Sequence, residues 1–247
     1  MEIYRWLKKV ISEKGAAFLI VLDPDNLSEE TSEKFIPLCK ESDVDGFLIG
    51  GSLMTRGDIG KSIETVKRYS DLPVIIFPGS VNQISEKADA ILFLSLISGR
   101  NSEHLIGSHV IAAPAIKRMG IEPISTGYML IESGKATTAQ YISGSAPIPR
   151  NKPEIAAATA LAGEYLGMKL IYLEGGSGAD WAVPNKMISK VKESVSIPVM
   201  VGGGIRDAKT AAEKVNAGAS VVIVGNHLED ENNWALIKEL AEAIHNK

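Results

Sequence analysis

Residues 169–181 read KLIYLEGGSGADW, an apolar run that ends in a carboxylate and then places three glycines within four residues. The hydroxyls of Tyr172 and Ser177 flank Glu174, so a polar cluster is assembled where a short strand stops. Comparable runs recur along the chain: AFLIVLD (17–23), GFLIGGS (46–52), PVIIFPG (73–79), AILFLS (90–95), EPISTGYMLI (122–131), IPVMVGGG (197–204) and SVVIVGN (220–226). Eight strands that alternate with helical patterns predict a parallel sheet with crossover helices, and eight is the count of a closed (β/α)₈ TIM barrel. Several runs are apolar throughout, as strands buried on both faces should be. An open doubly wound sheet is the alternative fold.

Helices fit between most of the strands, over 28–42, 58–70, 152–168, 184–195, 207–218 and 232–247, with Pro153 and Pro184 where a helix start tolerates proline. The connection 78–89 is barely long enough for a helix, which predicts a reduced third crossover. The stretch 132–152, rich in Ser, Thr, Gly and Pro, predicts a long loop over one end. No repeat, low-complexity tract or linker divides the chain, so residues 1–247 are expected to form one barrel domain.

Hydrophobic residues make up 45% of the chain, enough to fill a large core. A net charge of −4 argues against nucleic acid or an anionic membrane as a bulk electrostatic partner, so any phosphate must be held by local geometry. The single cysteine, Cys39, has no intrachain partner and is expected to be a buried small hydrophobe. No signal peptide and no 18-residue apolar run is present, which predicts a soluble, cytoplasmic protein. Ile3, Trp6, Leu7, Val10 and Ile11 share one helical face opposite Arg5, Lys8 and Lys9. That face suits packing on the domain itself, with transient membrane contact as the other reading.

In a barrel of this kind the chemistry sits at the C-terminal ends of the strands. Those ends carry Asp23 and Asp25, Gly50 to Ser52, Glu174 to Gly178, Gly202 to Gly204, and Gly225 with Asn226. GGGIRD and VGNH after the last two strands have the makings of a phosphate cradle, in which glycines admit the anion to backbone N–H groups beside a helix N-terminus. LDPD supplies hard carboxylate oxygens suited to Mg²⁺ shared with substrate phosphates, although an Asp here also suits a turn cap. Ser52 offers a hydroxyl one strand over. The four histidines lack metal-ligand spacing, no serine sits in a nucleophile elbow, and GGSGAD lacks the third glycine of a dinucleotide fingerprint.

These motifs resemble the geranylgeranylglyceryl phosphate synthases, (β/α)₈ barrels of archaeal-type ether-lipid synthesis that include the bacterial heptaprenylglyceryl phosphate synthases. The resemblance spans the chain through LDPD, IGGS, FLSLISGRN, LIGSHV, PIPRNKPEIAAATALAGEYLGMKLIYLEGGSGA, VGGGIRD and VGN, the long central block being the most specific. It implies Mg²⁺-assisted transfer of a geranylgeranyl group from geranylgeranyl diphosphate to the 3-hydroxyl of sn-glycerol 1-phosphate. By position, it implies Asp23 and Ser52 at the metal site. It places Tyr172, Leu173, Glu174, Gly175, Gly176, Ser177, Gly178, Gly203, Gly204, Gly225 and Asn226 around glycerol phosphate. Glu174 would accept the hydroxyl proton and Tyr172 would orient that hydroxyl. Asp25 lies beside the metal motif without matching a ligand. Some relatives carry a lysine where this chain has Val21, and its absence resembles the larger, mostly archaeal branch, whose members are frequently hexamers; a homo-oligomer, hexamer or dimer, is therefore expected. Two rival functions use the same residues: another phosphate-binding barrel enzyme, such as a phosphosugar isomerase or a lyase of tryptophan or histidine synthesis, and a non-catalytic prenyl-lipid binder.

Overall fold

The computed structural model describes residues 2–245, apart from the side chain of Asn226. Eight parallel strands close in sequence order into a barrel: β1 (Ala17–Leu22), β2 (Gly46–Ile49), β3 (Val74–Ile76), β4 (Ala90–Leu96), β5 (Glu122–Leu130), β6 (Leu170–Glu174), β7 (Val199–Gly202) and β8 (Val221–Val224). The pairing of β8 with β1, Ala17 opposite Val221 through Ile20 opposite Val224, completes the ring and rules out the open sheet. Strand residues alternate between two apolar clusters. Leu19, Leu48, Leu92, Ile124, Leu170 and Met200 fill the barrel interior, while Phe18, Ile20, Phe47, Ile171 and Val201 pack outward against the helices. Both faces are buried, which is why the runs read as continuously apolar.

The helical layer consists of α2 (Glu29–Glu41), α3 (Ile59–Tyr69), α4 (Ser108–Met119), α6 (Pro153–Tyr165), α7 (Asn185–Ser194), α8 (Ala208–Asn216) and α9 (Leu236–Ile244). Ser28, Asp58 and Asp207 cap their helices by accepting from the backbone N–H three residues on. Cys39 is buried in α2, where burial pushes its thiol far up.

The N-terminal helix α1 (Ile3–Lys14) closes the barrel floor: Ile3, Leu7 and Val10 join the interior cluster. Its first turn sits on the Glu122 carboxylate, which accepts from Ile3 N at 2.5 Å and Tyr4 N at 3.2 Å, a negative group where the helix dipole is positive. The apolar face is thus spent on the domain, as the packing reading expected.

Residues 77–89 hold no helix, in line with the reduced third crossover. Two elements depart from expectation. α4 follows a π-helical turn, Glu103–Gly107, and the sequence reading placed nothing there; Ile106, Val110 and Ile111 are exposed and Pro114 lies mid-helix, which blurs the amphipathic period. Within 132–152 the chain forms α5 (Thr138–Ser143), capped by the Thr137 hydroxyl, and a bridge from Ile131 to Ile148, so the expected loop is partly structured. The described residues contain no helix long and apolar enough to cross a membrane.

Candidate active site

The period-two alternation of β6 decides which residues face the reacting space. Leu170 and Tyr172 point into the barrel, and Glu174 continues that face at its mouth, while Ile171 and Leu173 point into the helix layer. Leu173, grouped above with the glycerol phosphate residues, therefore contributes no side chain to the cavity. Gly175 borders a neighbouring cavity instead, where its N–H donates to Gly202 O at 2.9 Å.

Glu174 is buried, 6% exposed, and its Oε1 accepts the Gly176 N–H at 2.5 Å. Burial raises its pKa, against the opposing pull of hydrogen bonds from the Tyr172 hydroxyl and the Gly176 amide. Tyr172 is pushed well above its usual range, first by burial and then by the negative charge of Glu174, so it stays a neutral donor. Gly202 has to be glycine here: a Cβ would lie 2.5 Å from the Tyr172 hydroxyl oxygen. A carboxylate held in poor solvent, with one oxygen tied to backbone, is more basic than an exposed one and is suited to take up a proton.

Around this carboxylate, Asp23, Ser52, Tyr172, Gly176, Ser177, Gly178, Gly203, Gly204 and Gly225 line one cavity of about 380 Å³. Gly203 adopts φ +84°, and a Cβ there would meet Gly176 N at 2.6 Å and Glu174 Oε1 at 2.8 Å, so glycine is required by conformation and by space. The first turn of α8 is occupied by its own Asp207 cap, and the helical N-terminus opening on the cavity is instead the short 3₁₀ turn Asn226–Leu228. Asn226 begins that turn, but its side chain lies outside the described structure.

Several lining residues escaped the sequence reading. Arg206, within the quoted GGGIRD, lines the cavity and donates to Ala179 O at 2.5 Å, tying the β7 and β6 loops together. His227, Thr138, Phe77 and Tyr128 also line it. Arg206 had a signal, a cation inside an anion-binding loop; the aromatic residues gave none, since nothing in their local sequence marks them as facing a cavity.

The two carboxylates of LDPD separate into two tasks. Asp23 lines the cavity beside β2: a Cβ on Gly51 would lie 3.7 Å from both of its oxygens. Asp25 is consumed by structure. Its Oδ2 accepts from Thr55 N at 2.8 Å and Thr55 Oγ1 at 2.7 Å, and its Oδ1 from Arg56 N at 3.0 Å and Gly57 N at 2.6 Å. Those bonds hold its carboxyl far below the usual range and fix the β2–α3 loop.

A second, apolar cavity of about 420 Å³ opens beside the first, walled by Ile84, Phe93, Leu96, Ala112, Ile116 and Ile142. The two share Gly51, Ser52, Phe77, Tyr128 and Ala139, so a polar chamber and a greasy one meet at a single junction. His109, buried in the apolar wall with its Nε2 3.1 Å from Ser95 Oγ, has its pKa lowered by that burial and stays neutral.

Known proteins share this fold. The geranylgeranylglyceryl phosphate synthase of Chitinophaga pinensis is 47% identical over 229 residues, covering 93% of this chain and 90% of that protein. The wild-type GGGPS of Thermoplasma volcanium superposes with a TM-score of 0.92 at 32% identity, covering 100% of this chain and 99% of that one. The (S)-3-O-geranylgeranylglyceryl phosphate synthase of Thermoplasma acidophilum, solved in complex with its substrate sn-glycerol-1-phosphate, gives a TM-score of 0.89 at 31% identity over 98% of both chains. The PcrB family matches residues 8–244, and this chain belongs to the PcrB family.

Proposed function

We propose that this protein transfers a geranylgeranyl group from geranylgeranyl diphosphate to the 3-hydroxyl of sn-glycerol 1-phosphate, giving geranylgeranylglyceryl phosphate and diphosphate. The observation that carries the reading is the junction: a polar chamber with a buried carboxylate opens directly into an apolar one of about 420 Å³. A small phosphorylated alcohol fits the first and an isoprenoid tail the second. The names and the bound glycerol phosphate of the relatives point the same way. A phosphosugar isomerase has no use for the apolar chamber, and a passive lipid binder has no use for a carboxylate whose pKa burial has raised.

In this reading the glycine turns at Gly176 to Gly178, Gly203, Gly204 and Gly225 receive the phosphate against backbone, helped by Arg206. Tyr172 and Glu174 address the acceptor alcohol, Tyr172 as a neutral donor that orients it and Glu174 as the group that accepts its proton. Asp23 and Ser52 offer a carboxylate and a hydroxyl at the chamber edge nearest the apolar cavity, a hard oxygen set that fits Mg²⁺ when diphosphate oxygens complete the shell. Mg²⁺ bound there would neutralise charge on the departing diphosphate. Everything else falls to the chain: fixing the two substrates in line and keeping water from the allylic carbon. Assembly as a homo-oligomer is part of the same proposal and is read by mass in solution.

Incubation with sn-glycerol 1-phosphate, Mg²⁺ and radiolabelled geranylgeranyl diphosphate should give a labelled, acid-stable ether extractable into organic solvent. Absence of that product, with both substrates recovered, would overturn the reading.

A further inference from the structure

The turn after β6, residues 175–182, carries glycines that border the polar chamber, and its own composition does not make it rigid. Gly176 and Gly178 adopt φ of +98° and +68°, so the freedom that lets a ligand approach the backbone also makes the turn costly to order. The turn closes on itself through Ala179 N, which donates to Gly176 O at 3.2 Å. Its far half is held by neighbours. Ser133 O accepts from Asp180 N at 3.1 Å and Trp181 N at 3.2 Å, and Arg206 donates to Ala179 O. Arg150, which lines neither chamber, donates from Nη2 to Ala182 O at 3.1 Å.

The Arg150 guanidinium joins two segments. Its Nη1 donates to Glu132 O at 3.0 Å, and its Cζ lies 5.3 Å from the centre of the Trp181 ring. The backbone that carries it is fixed as well: Arg150 N donates to Glu132 Oε2 at 3.2 Å. Two residues earlier, Ile148 N donates to Leu130 O at 2.8 Å and Ile148 O accepts from Glu132 N at 2.9 Å. A continuous set of hydrogen bonds thus runs from the end of β5 through Arg150 to the β6 turn.

We infer that Arg150 is a positioning residue for sn-glycerol 1-phosphate: it clamps the far end of the β6 turn to the extension of β5, so that the turn meets the phosphate already ordered. The inference rests on the transferase reading above and names what holds its acceptor site. A glycine turn that had to be ordered by its ligand would lose affinity to that ordering. Held at Ala179 by Arg206 and at Ala182 by Arg150, the turn presents Ser177 and Gly178 to the chamber from a fixed base. The neighbouring ion pair of Lys135 with Asp180, 3.2 Å long and exposed on both sides, contributes little by comparison. Arginine is required because its planar fork reaches two carbonyls of different segments at once and offers a flat face to Trp181; a lysine ammonium does neither.

The test is calorimetry of the full-length protein with sn-glycerol 1-phosphate, together with KM for each substrate in the radiolabelled ether assay. Arg150→Gln should weaken sn-glycerol 1-phosphate about tenfold, and Arg150→Lys should lie nearer to the glutamine variant than to wild type. KM for geranylgeranyl diphosphate should stay within about twofold, because no described residue of 175–182 lines the apolar chamber. Amide hydrogen exchange at Asp180 and Trp181 should quicken. Trp181→Leu, at a position 54% exposed, removes only the ring beneath the guanidinium and should weaken sn-glycerol 1-phosphate about threefold; it decides the matter if Arg150→Gln folds poorly. Gly144→Ala, in the same segment, is the control that should lower the melting temperature without moving affinity. Wild-type affinity in the deciding variant, an equal rise in KM for both substrates, or a weakening that Gly144→Ala reproduces would overturn the clamp and leave the transferase reading in place. A wild-type chain that binds no sn-glycerol 1-phosphate would overturn both.

Discussion

Glu174→Gln separates the proposed proton acceptor from the scaffold that holds it. The amide has nearly the same shape, and its carbonyl oxygen can keep the 2.5 Å contact from the Gly176 N–H, so the cradle around Gly203 should survive. What is lost is basicity. A positioned general base contributes about 10²–10⁴ in rate, or about 2.7–5.5 kcal/mol of barrier, and the buried setting of Glu174 supports the upper half of that range. We expect kcat to fall by that factor while KM for sn-glycerol 1-phosphate moves only a few fold, measured by the radiolabelled ether assay. The wild-type kcat/KM should rise with pH through the raised pKa of Glu174 and then level off, because only the carboxylate accepts a proton; the variant should lack that limb. Stability carries the opposite sign. Between the ordinary value of about 4.5 and the raised native value, the folded protein holds more protons at this site than the unfolded chain, so ionisation disfavours folding as pH rises through that window. The stability of the glutamine variant relative to wild type should therefore grow across the window and be greatest above it, as read by chemical denaturation at several pH values. A variant that keeps more than a tenth of wild-type kcat, or the same acidic limb, would take the base role away from Glu174.

Four further substitutions probe the site and its surroundings. Gly203→Ala should weaken sn-glycerol 1-phosphate binding by tenfold or more in calorimetry, because its Cβ meets Gly176 N and Glu174 Oε1. Gly144→Ala, at a comparable φ of +58° with nothing within 4 Å, should cost about 1 kcal/mol of stability and leave affinity alone. Asp25→Ala should speed amide hydrogen exchange at Thr55, Arg56 and Gly57 and lower the melting temperature at neutral pH; the difference should shrink as acid protonates the wild-type carboxylate, whose depressed pKa places its stabilisation above its folded value. Ala112→Trp, which fills the apolar cavity from α4, should abolish use of a C20 donor while sn-glycerol 1-phosphate still binds with wild-type affinity in calorimetry.

The barrel was legible because its signal is repetitive: eight apolar runs, most of them ending in Gly, Asp or Glu, leave few other folds. The lining of the cavity was legible where a residue's placement is decided locally. Glu174 and the glycines mark themselves by type and by standing at a strand end. Leu173 was grouped with them because it stands between Tyr172 and Glu174, and only the strand's alternation turns it outward. Asp25 and Asp23 look alike in LDPD, and what separates them is a loop 30 residues further on whose amides take up both oxygens of Asp25. α4 was hidden for a different reason. Its exposed face is as apolar as parts of its buried one, so the periodicity that identifies a surface helix is absent.

The weakest stretch of the sequence pattern turns out to shape the apolar chamber. A regular barrel would cover the outer faces of β3 and β4 with a helix after β3, yet residues 77–89 pass as turns. Gln83 pins that path by accepting from Gly79 N at 3.0 Å and donating to Gly51 O at 2.9 Å, which holds it against the end of β2. The space a helix would fill is the apolar cavity: Val81 and Ile84 of the short connection line one side, Ala112 and Ile116 of α4 another, and Ile91 and Phe93 of β4 belong to the outward-facing cluster. The cavity therefore lies outside the barrel wall, between strand and helix, and reaches the polar chamber over the ends of β2 and β3. Adding a helix-length insertion within 78–89 should fill the chamber and abolish prenyl transfer while the barrel and its glycerol phosphate site persist, because the polar chamber draws its cradle from β6, β7 and β8. Retained transfer of a C20 group by such an insertion variant would show that the tail lies elsewhere.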